Sequence, residues 1–321
     1  MEQRRYQEIN RYQDERFPVE LYHVDETGMV PFGRGLRDFH WHDELQFTLA
    51  LCGSLTLQVD ARQFILQEGE AAFINARMLH AVVKLARGGG YTSLNFPDKL
   101  LSFFPGSRME TECVLPYVTG NCVPVVLLRR ENEWQSAALE RLQEINSIWK
   151  PHLTSQNKYC IAAKITALWS ALLPALEEQS GNTFSADLVG RQRMQAMLSF
   201  LYEHFSEDIL LADLAGAANI SVGECCRMFR RQLGTTPHQF LTEYRIRKSM
   251  ELLSGPMSVS EIAGHCGYHQ VSNYIAKFRA MVHCTPGQYR KRKNHCDGVV
   301  FLQKNREKPG KRLTFFPSMI G

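Results

Sequence analysis

The chain has 321 residues, 44% of them apolar, and a net charge of only +4. That length suits two domains, each able to bury its own core, and the composition excludes a disordered or fibrous chain. No run approaches ~18 consecutive apolar residues, so no membrane span is expected. The nine cysteines form no CxxC pair; reduced thiols in a cytoplasmic protein are expected rather than a disulfide framework. The amino-terminal stretch MEQRRYQEINRYQDERF is polar, so no secretory signal is expected.

Residues 20–96 alternate short apolar runs with turns, the pattern of many short strands. Gln46–Leu51, Ser54–Val59, Gln63–Leu66 and Ala72–Ile74 read as strands, with Gly53, Asp60 and Gly69 at the breaks. His40 and His42 lie two apart and would share one face of a strand, with His80 arriving from a facing strand. Trp41 points the other way and is expected outside the group. The segment from Phe39 to Val82 resembles a cupin-type jelly roll. The HWH pair, the Gly53 and Glu68-Gly69 turns and His80 carry the resemblance, although the second motif lacks the family's usual proline.

In metal-binding cupins a carboxylate completes the set near the place held here by Gln46; Glu44 shares the histidines' face and is a substitute at shorter spacing. Three readings stay open: a metal site, imidazoles hydrogen-bonding at a barrel mouth, and a pocket for a small polar effector. The third is favoured, with His40, His42, Gln46 and His80 as effector-binding candidates and no metal or cofactor expected.

Residues 132–178 switch to helical spacing. Trp134, Leu139, Leu142, Ile145 and Ile148 fit one helix, and Ile161, Ile165, Leu168, Leu172 and Leu173 a second, with Pro151 between. A dimer contact and a helical pair packed on the barrel are equally open. Residues 178–190 are small and polar and read as a linker.

The carboxyl-terminal part carries one helix-turn-helix pattern twice. Leu214, Ala215 and Asn219 recur 48 residues on as Ile262, Ala263 and Gly267. Phe229, Pro237 and Phe240 recur 49 residues on as Phe278, Pro286 and Tyr289. In the first copy Leu211, Leu214, Ala215 and Ala218 make an apolar face. Asn219 takes a left-handed turn, Ser221 caps the next helix, and Gly234 ends it. That helix turns Cys225, Met228, Phe229 and Leu233 inward and Gly223, Cys226, Arg227, Arg230 and Arg231 outward. In the second copy Tyr274 and Phe278 face in, while Val271, Ser272, Asn273 and Ala276 face out. Thr285-Pro286 opens a last short helix. A long helix over 237–253 lies between the copies and is expected to hold them at a fixed separation.

This stretch, residues 190–292, resembles the AraC/XylS family of bacterial transcription regulators. It departs at Cys225, Ser249 and Lys277, the last expected to thin the inner face of the second helix. The resemblance implies an α+β protein. Residues 1–130 would be a cupin-like effector-binding domain, 131–180 a connector or dimerisation segment, 181–292 the DNA-binding domain, and 293–321 a basic, poorly ordered tail. Charge agrees: residues 183–321 hold 19 Lys and Arg against 11 Asp and Glu, a net +8, and residues 1–182 hold 18 against 22, a net −4.

The expected partners are double-stranded promoter DNA, a small effector, RNA polymerase and a second copy of the chain, with no membrane. Arg227 offers a fork to a guanine and Asn273 an amide to an adenine; Cys226 and Val271 offer apolar contacts. Gly223 permits close approach. Arg230, Arg231, Arg279, Ser221 and Ser272 suit phosphates, and Ala276 and Lys277 complete the DNA-facing set. No enzyme activity is expected; the competing class is a metal-dependent cupin enzyme carrying a DNA-binding tether.

Overall fold

The computed structural model describes residues 12, 14–25, 28–30, 38–119, 123–181 and 188–291. The basic tail, the middle of the linker and most of the polar amino-terminal stretch lie outside them. Among the described residues, nine antiparallel strands form two sheets. The first, six-stranded, has the order β2-β1-β8-β3-β6-β9 and the second β5-β4-β7. Their ranges are β1 Glu20–Asp25, β2 Gly28–Val30, β3 Leu45–Cys52, β4 Leu55–Val59, β5 Arg62–Leu66, β6 Ala71–Ile74, β7 His80–Leu85, β8 Gly90–Phe96 and β9 Val125–Leu128. The expected breaks are real turns: Gly53, Asp60 and Gly69 have φ of +65°, +50° and +80°.

Strand β3 shows why the first sheet is apolar on both faces. Its odd-numbered residues Leu45, Phe47 and Leu49 belong to a core shared with the helices, together with Phe73, Phe96, Leu139, Ile165 and Leu172. Its Ala50, two residues on from Gln46 and Thr48 on the opposite face, joins a second core with Leu55, Leu57, Leu66, Ile74 and Val82 from both sheets. Gln46 and Thr48 are therefore buried polar residues on an otherwise apolar face, and buried polar groups require partners.

After the sheets come a short 3₁₀ turn (Asp98–Leu101), a π-helical turn (Met109–Val114) and α1 (Leu115–Val118), then α2 (Glu133–Ile148) and α3 (Ser155–Gly181). Asn132 caps α2 by accepting from the Gln135 N–H. The stripe Ile161, Ile165, Leu168, Trp169, Leu172 and Leu176 on α3 is buried in the first core. The α2–α3 pair thus packs on the sheet within one chain. By length and composition α3 could cross a membrane, with mean hydropathy 1.5 over Ser155–Gln179; its burial against the sheet is the better account of that composition.

The remaining helices are α4 (Leu188–His204), α5 (Leu211–Ala217), α6 (Val222–Leu233), α7 (Pro237–Leu252), α8 (Val259–His265) and α9 (Val271–Val282). Residues 286–291 add a last helical turn. The chain forms two compact units. One spans Met1–Glu203 with Leu211–Thr236, and the other His204–Leu210 with Pro237–Gly321. The first helix-turn-helix copy, α5–α6, therefore groups with the sheets, and the second, α8–α9, with α7.

Candidate nucleic-acid interface and histidine cluster

In the first copy Leu214, Ala215 and Ala218 are buried as the spacing requires, but Leu211 is 42% exposed. This corrects the expected face: Leu211 opens α5, a full turn before the packed residues. Asn219 takes φ +53°. The Ser221 hydroxyl accepts from the Glu224 N–H at 3.2 Å and starts α6. Cys225, Met228, Phe229 and Leu233 are buried. Burial pushes the Cys225 thiol up to about 11, so it packs as an inert apolar group. Gly223, Arg227, Arg230 and Arg231 are exposed and Cys226 is half-buried. Gly234 ends α6 with φ +67°. Arg227 donates through Nε and Nη2 to one Glu224 oxygen, at 2.9 and 2.6 Å. This i, i+3 pair lays the guanidinium along the helix surface.

The second copy repeats the plan. Ser258 and Glu261 form a capping box at α8, and Gly267 turns the chain at φ +74°. Tyr274 and Phe278 are fully buried, in edge contact at 5.7 Å, and Tyr289 closes on Phe278 at 5.7 Å. Ser272, Asn273, Ala276, Lys277 and Arg279 are exposed; Val271 is half-buried and packs on the core. Lys277 corrects the sequence expectation. It stands on the outer face, so the inner face is not thinned and is completed by Cys266 and Tyr268. Ser272, Ile275, Ala276, Arg279 and Ala280 line an open hollow along α9. Ser249 is tolerated because its buried hydroxyl donates to the Ile246 carbonyl at 2.7 Å.

Sequence reasoning missed Arg245. Its Nε donates to the Phe205 carbonyl at 2.6 Å and its Nη2 to the Glu207 carbonyl at 2.7 Å. The same guanidinium lies 5.7 Å from the centre of the Tyr268 ring. No periodicity marks an arginine that serves as a brace rather than a surface charge.

The structure brings His40, His42, Gln46 and His80 together. His42, Gln46 and His80 are buried, and His40 is half-buried. His40 and His80 are directly paired backbone neighbours, with N–H donations to each other's carbonyls at 3.1 and 2.9 Å. The expected facing strand is thus an adjacent one. The imidazole centres lie 4.4 Å (His40–His80), 5.0 Å (His42–His80) and 5.8 Å (His40–His42) apart. Gln46 Oε1 sits 3.0 Å from His42 Nε2 and 3.3 Å from His80 Nε2. Its Nε2 donates to Thr48 Oγ1 at 2.8 Å.

Burial, with His40 and His42 beside it, holds His80 well below the ordinary imidazole range. Glu44 does not join the set. Its carboxylate lies on the Nδ1 side of His42 at 3.5 Å and accepts from the Tyr12 hydroxyl. Trp41, expected outside the histidine group, is buried.

Two helix-turn-helix copies following an antiparallel sheet domain define a transcription regulator that binds DNA and carries a ligand-binding module. A helix-turn-helix domain model matches residues 214–292, and an AraC-like ligand binding domain model matches residues 34–106. The chain is 31% identical over 290 residues to the uncharacterized HTH-type transcriptional regulator YdeC of Bacillus subtilis, covering 88% of this chain and 95% of that one. The chain belongs to the AraC family of helix-turn-helix transcription regulators. It is also 30% identical over 119 residues to the regulator MtrA of Neisseria gonorrhoeae, covering 36% of this chain and 40% of that one. A ligand-free point variant of ToxT from Vibrio cholerae aligns over 85% of this chain and 96% of its own at TM-score 0.43 and 14% identity, too loose a likeness to transfer a ligand.

Proposed function

We propose that this regulator reads promoter DNA through the outer faces of α6 and α9 and changes transcription when a small effector occupies the domain within residues 1–130. The observation that supports this most is the matched exposure of the two helices. On both, the aromatic and aliphatic anchors point in. Arg227, Arg230, Arg231 and Ser221 on one, and Ser272, Asn273, Lys277 and Arg279 on the other, remain at the surface. Arg227 is the guanine reader and Asn273 the adenine reader. Cys226, Val271 and Ala276 supply apolar contact, Gly223 gives clearance, and the remaining cations and hydroxyls grip phosphates.

Residues 181–292 form the DNA-binding part, and residues 131–180 pack on the sheet and offer a dimer face. RNA polymerase, a second copy of the chain and a cytoplasmic location belong to the same reading. The similarity to regulators supports a protein that is not an enzyme.

Selection of bound sites from random DNA, followed by footprinting, tests the proposal. Arg227→Ala should weaken binding to the selected site by ~1–3 kcal/mol and relax one base position. An unchanged site preference would remove Arg227 from the base-reading set. Affinity should fall steeply with salt as phosphate contacts release counterions.

A further inference from the structure

Phe103 and Phe104 lie side by side in the loop between the 3₁₀ turn and the π-helical turn. They are 66% and 64% exposed, and Met109 and Leu115 are also at the surface. A slack loop does not explain this. Ser102 and Ser107, on either side, are buried. The Ser107 hydroxyl donates to the Ser102 carbonyl and accepts from the Glu110 N–H at 3.0 Å. The Phe104 N–H donates to the Ser102 carbonyl at 2.6 Å, and the Ser107 N–H to the Phe104 carbonyl at 3.1 Å. The Glu110 carboxylate accepts from the Gly106 N–H. Within this brace Phe103 is held at φ +60°, a left-handed backbone that bulky residues rarely adopt. Such strain persists only where the surroundings over-determine it, and it collects at working surfaces. The loop is built to display two phenyl rings, and an exposed apolar patch of that kind marks a contact site.

The sequence names a candidate for the other side of the contact. Residues 99–105 read KLLSFFP, and residues 311–317, in the basic tail, read KRLTFFP. Five of the seven positions are identical and a sixth exchanges Ser for Thr. The same chain therefore carries a second Phe-Phe-Pro segment, followed by Met319 and Ile320.

We propose that residues 313–320 of the tail dock on the displayed loop of their own chain, with Phe315, Phe316 and Pro317 against Phe103, Phe104, Met109 and Leu115. Ring against ring removes apolar area from water and adds offset or edge contact between aromatic groups. Charge does not decide the fit. Glu110 and Glu112 stand beside the rings in sequence, but so do Lys99 and Arg108, the last paired with Glu112 at 3.7 Å. The tether does decide it. Residues 292–312 number 21 and can reach up to roughly 70 Å. A tether of that order supplies its end at roughly millimolar effective concentration, so even a weak apolar contact is well populated. The joining stretch 303–312 carries Lys304, Arg306, Lys308, Lys311 and Arg312 against Glu307 alone, a composition that stays in water while the apolar end docks.

Hydrogen exchange of the full-length chain, read by mass spectrometry, tests the contact. Amides of 313–320 should exchange at least about threefold more slowly, relative to their intrinsic rates, than those of 303–310 in the same tail; that is the factor for a contact occupied two-thirds of the time. The double variant Phe103→Ser with Phe104→Ser, at exposed positions, should abolish the difference with circular dichroism unchanged. Phe315→Ser with Phe316→Ser should abolish it from the other side. A photoreactive benzoylphenylalanine in place of Phe316 should, on illumination, form an adduct with residues 99–115 at the mass of one chain.

Equal exchange of 313–320 and 303–310 would overturn the docking. Slow exchange that survives loss of Phe103 and Phe104 would overturn this loop as the seat. Protection that grows with protein concentration, or adducts at the mass of two chains, would overturn the chain's own tail as occupant in favour of a second copy.

Discussion

The first helix-turn-helix copy turns on Asn219 and the second on Gly267, both with a left-handed backbone, at φ +53° and +74°. Their surroundings differ. Asn219 is exposed, and its turn asks only for a residue that tolerates the backbone hand. Gly267 is buried, and a Cβ there would lie 2.9 Å from the Phe205 carbonyl oxygen and 2.8 Å from Arg245 Nη2. The second turn therefore asks for the absence of a side chain as well. The bracing arginine occupies the volume that an alanine would need. Repetition of a pattern does not make its positions equally demanding; the neighbours decide that.

Gly267→Ala should show the largest effect. A left-handed alanine costs ~1–2 kcal/mol, and overpacking against a fixed carbonyl adds ~1–3 kcal/mol. Asn219→Ala should meet only the first penalty. Each copy carries its own reporter, because Cys225 is buried in the first and Cys266 in the second. Thiol labelling under native conditions, read by mass spectrometry, should accelerate at Cys266 alone for Gly267→Ala and mildly at Cys225 for Asn219→Ala. Equal acceleration in both variants would mean that the Arg245 brace yields and that the two turns are equivalent.

On the DNA side the copies should be separable by position. Asn273→Ala is expected to weaken the selected site by ~1–3 kcal/mol and relax a base at one end, while Arg227→Ala relaxes a base at the other. Arg227 must leave its Glu224 pair to reach a base, so Glu224→Gln should tighten binding slightly, most at the selected site. Both substitutions relaxing the same base would defeat the two-helix reading.

The inward face of each recognition helix, the turn residues 219 and 267, the caps at 221 and 234 and the strand breaks at 53, 60 and 69 were all legible in the sequence. Each is a local demand that one or two residue types meet. What escaped is non-local. Arg245 reads as one more cation on a basic helix; only folding sets it against Phe205, Glu207 and Tyr268. Lys277 read as a gap in an inner face because the expected face was drawn one residue too wide. The histidines were legible as a group, but their tautomers were not, since these depend on the carbonyls of Asp38, Glu44 and Met78. Strand β9 and the turns over residues 98–118 follow from packing on the six-stranded sheet rather than from any alternation of their own.

The smallest expected effect concerns how the two recognition helices begin. The Ser221 side chain caps α6, whereas Gln270 at the start of α9 makes no side-chain cap bond. Its backbone carbonyl does serve, accepting from the Asn273 and Tyr274 N–H groups at 3.1 and 3.2 Å. The backbone at Gln270, φ −119° and ψ 121°, is already extended as a cap requires. The longer amide side chain is simply the wrong length to fold back onto the first turn. Gln270→Ser should therefore stabilise the second copy by up to ~1 kcal/mol, while Ser221→Ala destabilises the first by ~1 kcal/mol. Slower labelling of Cys266 in the first variant and faster labelling of Cys225 in the second would show that the copies differ by one removable cap. If Gln270→Ser leaves Cys266 unchanged, the first turn of α9 is held by its own backbone, and the asymmetry between the helices lies in Gly267 and its arginine alone.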